Sequence, residues 1–434
     1  MRRQRMILTT FLLPAGYHRD SWRREESRAD ELAGLPFMAD LARTAERAKL
    51  DAVFLGDCVH ANATMRGDIM MNGFYEPIST LSALAAVTKD IGLIGTVSTS
   101  FTEPYNVARQ MAGLDHMSGG RAGWNIVTSR DGFANFGGSG VPEAEERYDR
   151  ADEHVDVVKQ LWDSWSDDSI LVDRKAGRWL DTDGLRPIDH AGARFTVQGP
   201  INIPRPPQGH PILVQAGSSA TGMAFGSKVA DLIYTAQPHL AGAQTFYRDL
   251  KKRVAEHGRD PDTVTVLPGI VPVIGRTEAE AREMAQELAD NVDLDAGRRQ
   301  VAGDLFLDID DIGFDERIPA ERFSEDPKMG SRYHIFRRKA VEQGLTLGEL
   351  IVDRARSTGH VWFVGTAAQA ADLMIEWFES EACDGFNMNA PFNPEGLDAI
   401  CDLLVPELTE RGYFRTEYEG STFRENLGLA RPSA

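Results

Sequence analysis

Hydroxyl-bearing and charged residues recur in this chain directly after apolar runs, at the places where a parallel sheet would end its strands. His18 follows the apolar run 6–13, and Asp57 closes a second run that begins at residue 51. The other candidates are mostly hydroxyls with a single guanidinium group: Thr99, Ser100, Thr128, Ser129, Arg130, Ser218 and Ser219. This set favours the binding of a polar or phosphorylated ligand over hydrolysis, because hydrolysis needs clustered carboxylates, histidines or an activated nucleophile.

Other chemistries at these strand ends receive little support from the residue pattern. None of the 10 histidines forms a His-x-His pair, so no metal site is predicted. Asp57 is the single acid at an early strand end, whereas glycoside hydrolysis uses two carboxylates. The chain has no Walker A loop, Gly-x-Gly-x-x-Gly or Gly-x-Ser-x-Gly motif. Ser219 is an ordinary helix cap by type, and its place after an apolar strand also predicts a phosphate at that helix N-terminus.

These residues need an alternation of strands and helices to position them. A glycine pair at 119–120 is able to end a helix, and the apolar run 122–128 after it is typical of a strand. Nearly continuous apolar strands with amphipathic helices between them indicate a parallel sheet covered on both faces. About eight such units predict an α/β fold, a (β/α)8 TIM barrel with its site at the strand ends. The predicted strands are 6–13, 51–57, 91–99, 122–128, 211–217, 231–237, 263–274, 361–365 and 384–389.

Two stretches interrupt the alternation, and we interpret the chain as one barrel domain, residues 1–434, with two insertions. The first, at about 166–210, is rich in Asp, Gly, Arg and Pro. The second, at about 276–360, has predicted helices at 278–289 and 332–343 around an acidic, irregular segment. Long irregular segments within compact folds are often lids, and the second insertion is the predicted lid. Trp124, Trp162 and Cys58 are predicted to be packing residues, and the tail 418–434 is polar.

Composition limits the classes of partner. The chain of 434 residues carries 47 basic and 66 acidic side chains, a formal charge of −19, which argues against binding to nucleic acid or an anionic membrane surface. A phosphate would therefore be held by local amides, hydroxyls and a few arginines. Three cysteines without a CxxC motif favour a reducing, cytoplasmic setting. No apolar run approaches the ~20 residues of a membrane span, and the run 6–13 is predicted to be the first barrel strand.

Longer motifs connect the chain with a known family. Several runs match in order along nearly the whole chain, among them 103–109, 114–129, 146–148, 204–209, 215–219, 235–238, 384–387 and 414–418. On these motifs the chain resembles the FMN-dependent, bacterial luciferase-like monooxygenases. Within them it is most similar to the subgroup of nitrilotriacetate monooxygenase component A and dibenzothiophene-sulfone monooxygenase.

The resemblance implies a flavin, FMN, lying across the mouth of the barrel. By the family pattern, Asp57 and the Thr99–Ser100 strand end would border the ring. Tyr148 and Ser219 would reach the phosphate, and the other candidates on that side are Thr128, Ser129, Arg130 and Ser218. One departure concerns Ala144, since many relatives have a histidine four residues before this tyrosine. The loop 131–141 is also shorter than in relatives.

The implied reaction is a two-component monooxygenation. A separate NAD(P)H:flavin reductase would supply FMNH2, which reacts with O2 to form a C4a-peroxyflavin that oxygenates a small organic substrate. His18 and His334 are the predicted catalytic residues, for stabilising the peroxide or positioning the substrate. The resemblance also implies a homodimer or homotetramer. Two alternatives stay open at this point: an F420-dependent oxidoreductase on the same fold, and a non-catalytic flavin-binding protein.

Overall fold

The computed structural model describes residues 3–32, 34–60, 75–138, 140–326, 329 and 331–433. One large sheet dominates it, and its strands are composed almost wholly of buried residues, as their apolar sequences require. Its strands in chain order are β1 (Ile7–Phe11), β2 (Ala52–Leu55), β3 (Gly92–Ser98), β4 (Ala122–Val127), β5 (Ile212–Ala216), β6 (Leu232–Thr235), β7 (Thr265–Gly275), β8 (Val361–Thr366) and β9 (Gly385–Met388).

Eight of these strands close into a parallel barrel. β1 pairs with β2 on one side and with β9 on the other. The ring continues in chain order from β2 to β6, then through β7 to β9. The predicted (β/α)8 barrel is confirmed.

The strand predicted at 361–365 exists, but it lies outside the ring. β7 has 11 residues, and its first half pairs with β6 and β9. The second half, 270–275, runs beyond the barrel and pairs with β8 instead. The extra length of β7 thus supplies an edge on which the end of the second insertion is anchored.

Helices cover the barrel and alternate with its strands. α3 shows why they begin and end where they do, because Pro104 suits a first turn and Gly119 ends the helix with a φ of 70°. The helices are α1 (Leu35–Arg47), α2 (Pro77–Ala85), α3 (Pro104–Ser118), α4 (Ala144–Trp162), α5 (Ala220–Val229), α6 (Leu240–Glu256), α7 (Glu278–Asp290), α8 (Leu294–Leu305), α9 (Ser331–Val341), α10 (Leu347–Ser357), α11 (Ala367–Glu379), α12 (Glu395–Ala399), α13 (Val405–Glu410) and α14 (Phe423–Asn426). A π-helical turn, Ile400–Leu404, joins α12 to α13.

The two insertions differ in kind. The first forms two short antiparallel hairpins, Ile170–Asp173 with Arg178–Leu180 and His190–Ala191 with Thr196–Val197. The second contains α7 to α10 and a hydrophobic cluster of its own around Val301, Tyr333 and Leu350. Its helices α8 and α10 were not predicted. Because this insertion has its own buried cluster, it is a packed cap on the barrel mouth and not a loose loop.

The C-terminal tail closes the opposite end of the barrel. Phe423 and Leu427 are fully buried in one cluster with Ile7, Ala52 and Ile94 from the barrel strands. A side chain at Gly92 would begin 2.7 Å from the Phe423 ring, so the tail packs directly on the sheet. The sequence analysis described the tail only as polar and did not predict that its apolar residues close this end of the barrel. Among the described helices, none has both the length and the apolar character that a membrane crossing requires.

Candidate active site

A cleft opens between the carboxyl ends of the barrel strands and helix α9 of the second insertion. It consists of two adjoining cavities of about 980 Å³ and 490 Å³. Six residues line both of them: Arg130, Tyr148, Ser218, Ser219, Ala236 and Ile335. Four of these six are residues that the sequence singled out. We call this space the mouth cleft.

The first turn of α5 forms one wall of the mouth cleft. Ser219 caps this helix, and its Oγ accepts a hydrogen bond from the Gly222 amide at 3.1 Å. A side chain at Gly222 would begin 3.2 Å from the phenol oxygen of Tyr148, which places that hydroxyl against the same turn. Ser218 Oγ lies 2.9 Å from Thr235 Oγ1 at the end of β6. Hydroxyls therefore surround a helix N-terminus, which attracts anions through its free amides and its dipole.

The end of β4 forms the neighbouring wall. Thr128, Ser129 and Arg130 line the smaller cavity, as predicted for the polar end of this strand. Ser129 Oγ lies 2.7 Å from Ser98 Oγ, and Arg147 donates a 3.0 Å hydrogen bond to the Ser129 carbonyl. Burial lowers the pKa of Arg147, and the charge of Arg130 lowers it further. The sequence reasoning missed Ser98 and Arg147, although Arg147 stands directly before Tyr148.

The residues predicted to border a flavin ring lie beside this wall but outside the lining of the mouth cleft. Asp57, Thr99 and Ser100 follow β2 and β3, and none of them lines either cavity of the mouth cleft. Thr99 is fully buried, and its hydroxyl donates to the Val127 carbonyl at 3.2 Å. Burial raises the pKa of Asp57, and Glu76 raises it further. The structure thus brings the predicted phosphate-side residues together and leaves the ring-side group on neighbouring strands.

The two predicted catalytic histidines lie in different surroundings. His18 is fully buried, and neither ring nitrogen has a hydrogen-bond partner among the described residues. Burial, helped by the charge of Arg356, lowers the pKa of His18 to about 3, so its ring is neutral at neutral pH. Leaving two polar atoms buried without partners is costly, and natural proteins rarely do so without a reason. His334 is exposed on α9 and lines the larger cavity.

A third histidine, His360, was not predicted as a site residue because it stands at the end of the second insertion. It directly precedes β8 and lines the smaller cavity with Thr358. Its ring meets the Tyr17 ring edge-on with centroids 5.5 Å apart. Burial, together with the charge of Arg332, lowers the pKa of His360 to about 4. The signal available in the sequence was its position immediately before an apolar strand.

Four further residues named in the sequence analysis have clear positions in the structure. Trp124 and Trp162 are fully buried packing residues, as predicted, with indole N–H groups bonded to the carbonyls of Val97 and Ala108. Cys58 was predicted to be buried, which is wrong: it is exposed because it lies in the loop after β2. Ala144, the position at which the sequence departs from the family pattern described above, lines the larger cavity with its methyl group.

The fold is a (β/α)8 barrel, and the mouth cleft lies at the carboxyl ends of its strands, where enzymes of this fold have their active sites. The chain belongs to the luciferase-like monooxygenase family, whose model matches residues 9–382. It is 41% identical to N-acetyl-S-(2-succino)cysteine monooxygenase of Bacillus subtilis (strain 168), over 99% of this chain and 98% of that protein. It is also 41% identical to nitrilotriacetate monooxygenase component A of Aminobacter aminovorans, over 96% and 95% of the two chains.

Solved structures agree with this assignment. EDTA monooxygenase from Chelativorans sp. BNC1 superposes with a TM-score of 0.79 at 32% identity, covering 98% of this chain and 99% of that one. An F420-dependent secondary alcohol dehydrogenase reaches a TM-score of 0.58 at 14% identity, which shows a shared fold alone. The chain is a flavin-dependent monooxygenase of the two-component type, which uses O2 and reduced flavin from a separate reductase.

Proposed function

We propose that the flavin is FMN and that its phosphate binds at the N-terminus of α5. The observation that carries this proposal is the juxtaposition of the Tyr148 hydroxyl, the Ser219 cap and the bare Cα of Gly222. A phosphate there would accept hydrogen bonds from hydroxyls and first-turn amides, which is the usual chemistry of such helix ends. The chain has a formal charge of −19, which repels anions, so a phosphate needs a local group of donors of this kind.

The residues present fit a phosphate monoester. Tyr148, Ser218 and Ser219 offer hydroxyl groups, and Arg130 offers a guanidinium group that lines both cavities. Charge-assisted hydrogen bonds from such donors are shorter and stronger than neutral ones. Gly222 leaves room for the group, since any side chain there would crowd both Tyr148 and Ser219. Thr128 and Ser129 extend the same wall and are proposed to contribute on the phosphate side.

The bound reduced flavin supplies the activation of O2, and the protein's task is to orient the substrate and keep water out. We assign the ring side to Asp57, Thr99 and Ser100 at the ends of β2 and β3. The neutral ring of His18 has one N–H donor and one acceptor without partners among the described residues, so it is able to donate a hydrogen bond to a bound oxygen or to accept one. His334, which lines the larger cavity, is proposed to contact substrate.

Reconstitution tests the proposed activity. The protein would be combined with FMN, an NADH:flavin reductase, NADH and O2, and N-acetyl-S-(2-succino)cysteine and nitrilotriacetate would serve as probe substrates. We expect an oxygenated product only when all four components are present. Omission of each component in turn is the control. Product formed without a flavin source, or with F420 in place of FMN, would contradict the proposal.

A further inference from the structure

We propose that the substrate carries at least two separate carboxylates, held by Arg332 and Arg356, two guanidinium groups of the second insertion. This inference rests on the proposed function, because it assigns the substrate side of the same site. The groups come from different helices: Arg332 stands at the start of α9 and Arg356 near the end of α10. Two separated cations suit a ligand with two anionic groups better than one compact phosphate.

Arg332 is only partly neutralised by its neighbours. It lines the smaller cavity, and 55% of its side chain is exposed. Its Nη1 lies 3.7 Å from Asp304 Oδ1, but Asp304 Oδ2 also accepts a 2.6 Å hydrogen bond from Arg354. One carboxylate is thus shared by two guanidinium groups. A net positive charge remains at this end of the mouth cleft.

Arg356 has no acidic partner at all in the described part of the chain, and its buried Nε makes no hydrogen bond there. Its guanidinium carbon lies 5.9 Å from the centre of the Trp362 ring. Trp362 in turn packs on Leu13 and Tyr17, the residues that lead from β1 to His18. A partly buried guanidinium without an anion is a costly arrangement, and an anionic ligand would remove that cost.

The effect of both cations is visible in the groups around them. The charge of Arg356 adds to burial in lowering the pKa of His18, and the charge of Arg332 does the same for His360. Among the described residues that line the smaller cavity, Asp304 is the single acid, and Arg354 already binds it. The same lining contains two guanidinium groups, those of Arg130 and Arg332, so cations outnumber anions there. An excess of positive charge in a concave site attracts anionic ligands.

Calorimetric titration of the FMN-loaded protein tests the inference. The probes are nitrilotriacetate and N-acetyl-S-(2-succino)cysteine, with uncharged nitrilotriacetamide as the control ligand. We expect Arg332→Met and Arg356→Met each to raise the Kd of the carboxylates about tenfold or more, the usual effect of losing a charge-assisted hydrogen bond. Arg356→Lys, which keeps the charge, should recover part of the affinity. Arg299→Met removes an exposed charge of the same insertion outside the cleft, and should change nothing.

Four outcomes would overturn the inference, and three of them concern the carboxylate ligands. These three are carboxylates that do not bind the unaltered protein, carboxylates that bind the two variants as tightly as they bind the unaltered protein, and the triamide binding as tightly as the acids. A rise in the Kd of FMN in Arg332→Met with unchanged carboxylate binding would assign this cation to the flavin phosphate, and would also overturn it. Failure of the unaltered protein to bind FMN would instead refute the proposed function. Thermal melts of each variant identify any loss of folding.

Discussion

The phenol oxygen of Tyr148 lies against the first turn of α5, 3.2 Å from the point where a side chain at Gly222 would begin. This contact joins two consecutive βα units, because Tyr148 belongs to α4 and Gly222 to α5. It gives the proposed phosphate site its shape.

Gly222→Ala should weaken FMN binding. The new methyl group would lie 3.1 Å from Ser219 Oγ and 3.2 Å from both the Gly217 Cα and the Tyr148 hydroxyl, so the phenol must move. We expect the Kd of FMN to rise roughly tenfold, as for the loss of one hydrogen bond to a charged group. Fluorescence titration measures it. Gly113→Ala on α3, where an added methyl meets nothing within 4 Å, is the control. Equal affinities for both variants would contradict the account.

Ala144→His should tighten FMN binding. Ala144 begins α4 one turn before Tyr148, so their side chains share a face, and Ala144 lines the larger cavity. A histidine there adds a donor toward the phosphate side, and we expect a fall in the Kd of severalfold, about 1 kcal/mol for one added hydrogen bond. Glu146→His is the control, because Glu146 bonds Arg194 outside the cleft. No change, or weaker binding, in Ala144→His would show that the methyl group does not face the flavin.

Stability should fall in acid because of buried neutral histidines. Burial lowers the pKa of His18 to about 3 and that of His154 to about 4, against an ordinary value of 6.5. Below the ordinary pKa the unfolded chain binds protons that the fold excludes. The free energy of unfolding is therefore unaffected by these rings above about pH 6.5. As the pH falls from 6.5 toward the pKa values of the folded protein, each ring lowers the free energy of unfolding by about 1.4 kcal/mol per pH unit.

Urea denaturation at about pH 7, 6 and 5 measures this slope. His18→Gln should flatten it by the share of one proton, and His257→Gln, an exposed ring, should leave it unchanged. An unaltered slope in His18→Gln would mean that His18 is protonated in the folded protein.

Arg415→Met should destabilise the barrel strongly. Its guanidinium pairs with Asp51, which is fully buried and whose second oxygen accepts from the Leu8 amide at 2.7 Å. Without Arg415 a buried carboxylate stays unpaired, at a cost of about 3–5 kcal/mol. Asp51→Asn in the same chain should recover part of the loss. Arg5→Met breaks an exposed pair with Glu419 and should cost less than about 1 kcal/mol. Equal denaturation midpoints for the two single variants would contradict this.

Much of the barrel was predictable from periodicity. Continuous apolar runs such as 91–99 and 263–274 predict strands of a parallel sheet, because such strands are buried on both faces. Helix α10 was missed although Thr346 and Glu349 form a capping box before Leu347, Leu350 and Ile351. That signal was local and readable in the sequence.

The tail and the cleft depended on tertiary contacts that periodicity does not reveal. Phe423 stands in a polar segment without the periodic apolar residues that would predict its burial, yet it fills the amino end of the barrel. His360 and Arg332 line the same cavity, and the pairing of β8 with the overhanging half of β7 is what returns the end of the insertion to the mouth. The hydroxyls at the strand ends were predictable, since a barrel fixes where strands end, but the insertion's contribution to the cleft was not.

A comparison of FMN with riboflavin measures whether the phosphate of FMN binds at Tyr148 and Ser219. The unaltered protein should bind FMN more tightly than riboflavin, and Tyr148→Phe with Ser219→Ala should remove about 1–3 kcal/mol of that preference. Thr277→Ala, which removes the cap of α7 away from the cleft, should leave the preference intact. If FMN and riboflavin bind the unaltered protein equally well, or if the double variant keeps the full preference, the phosphate is held elsewhere and the account is wrong.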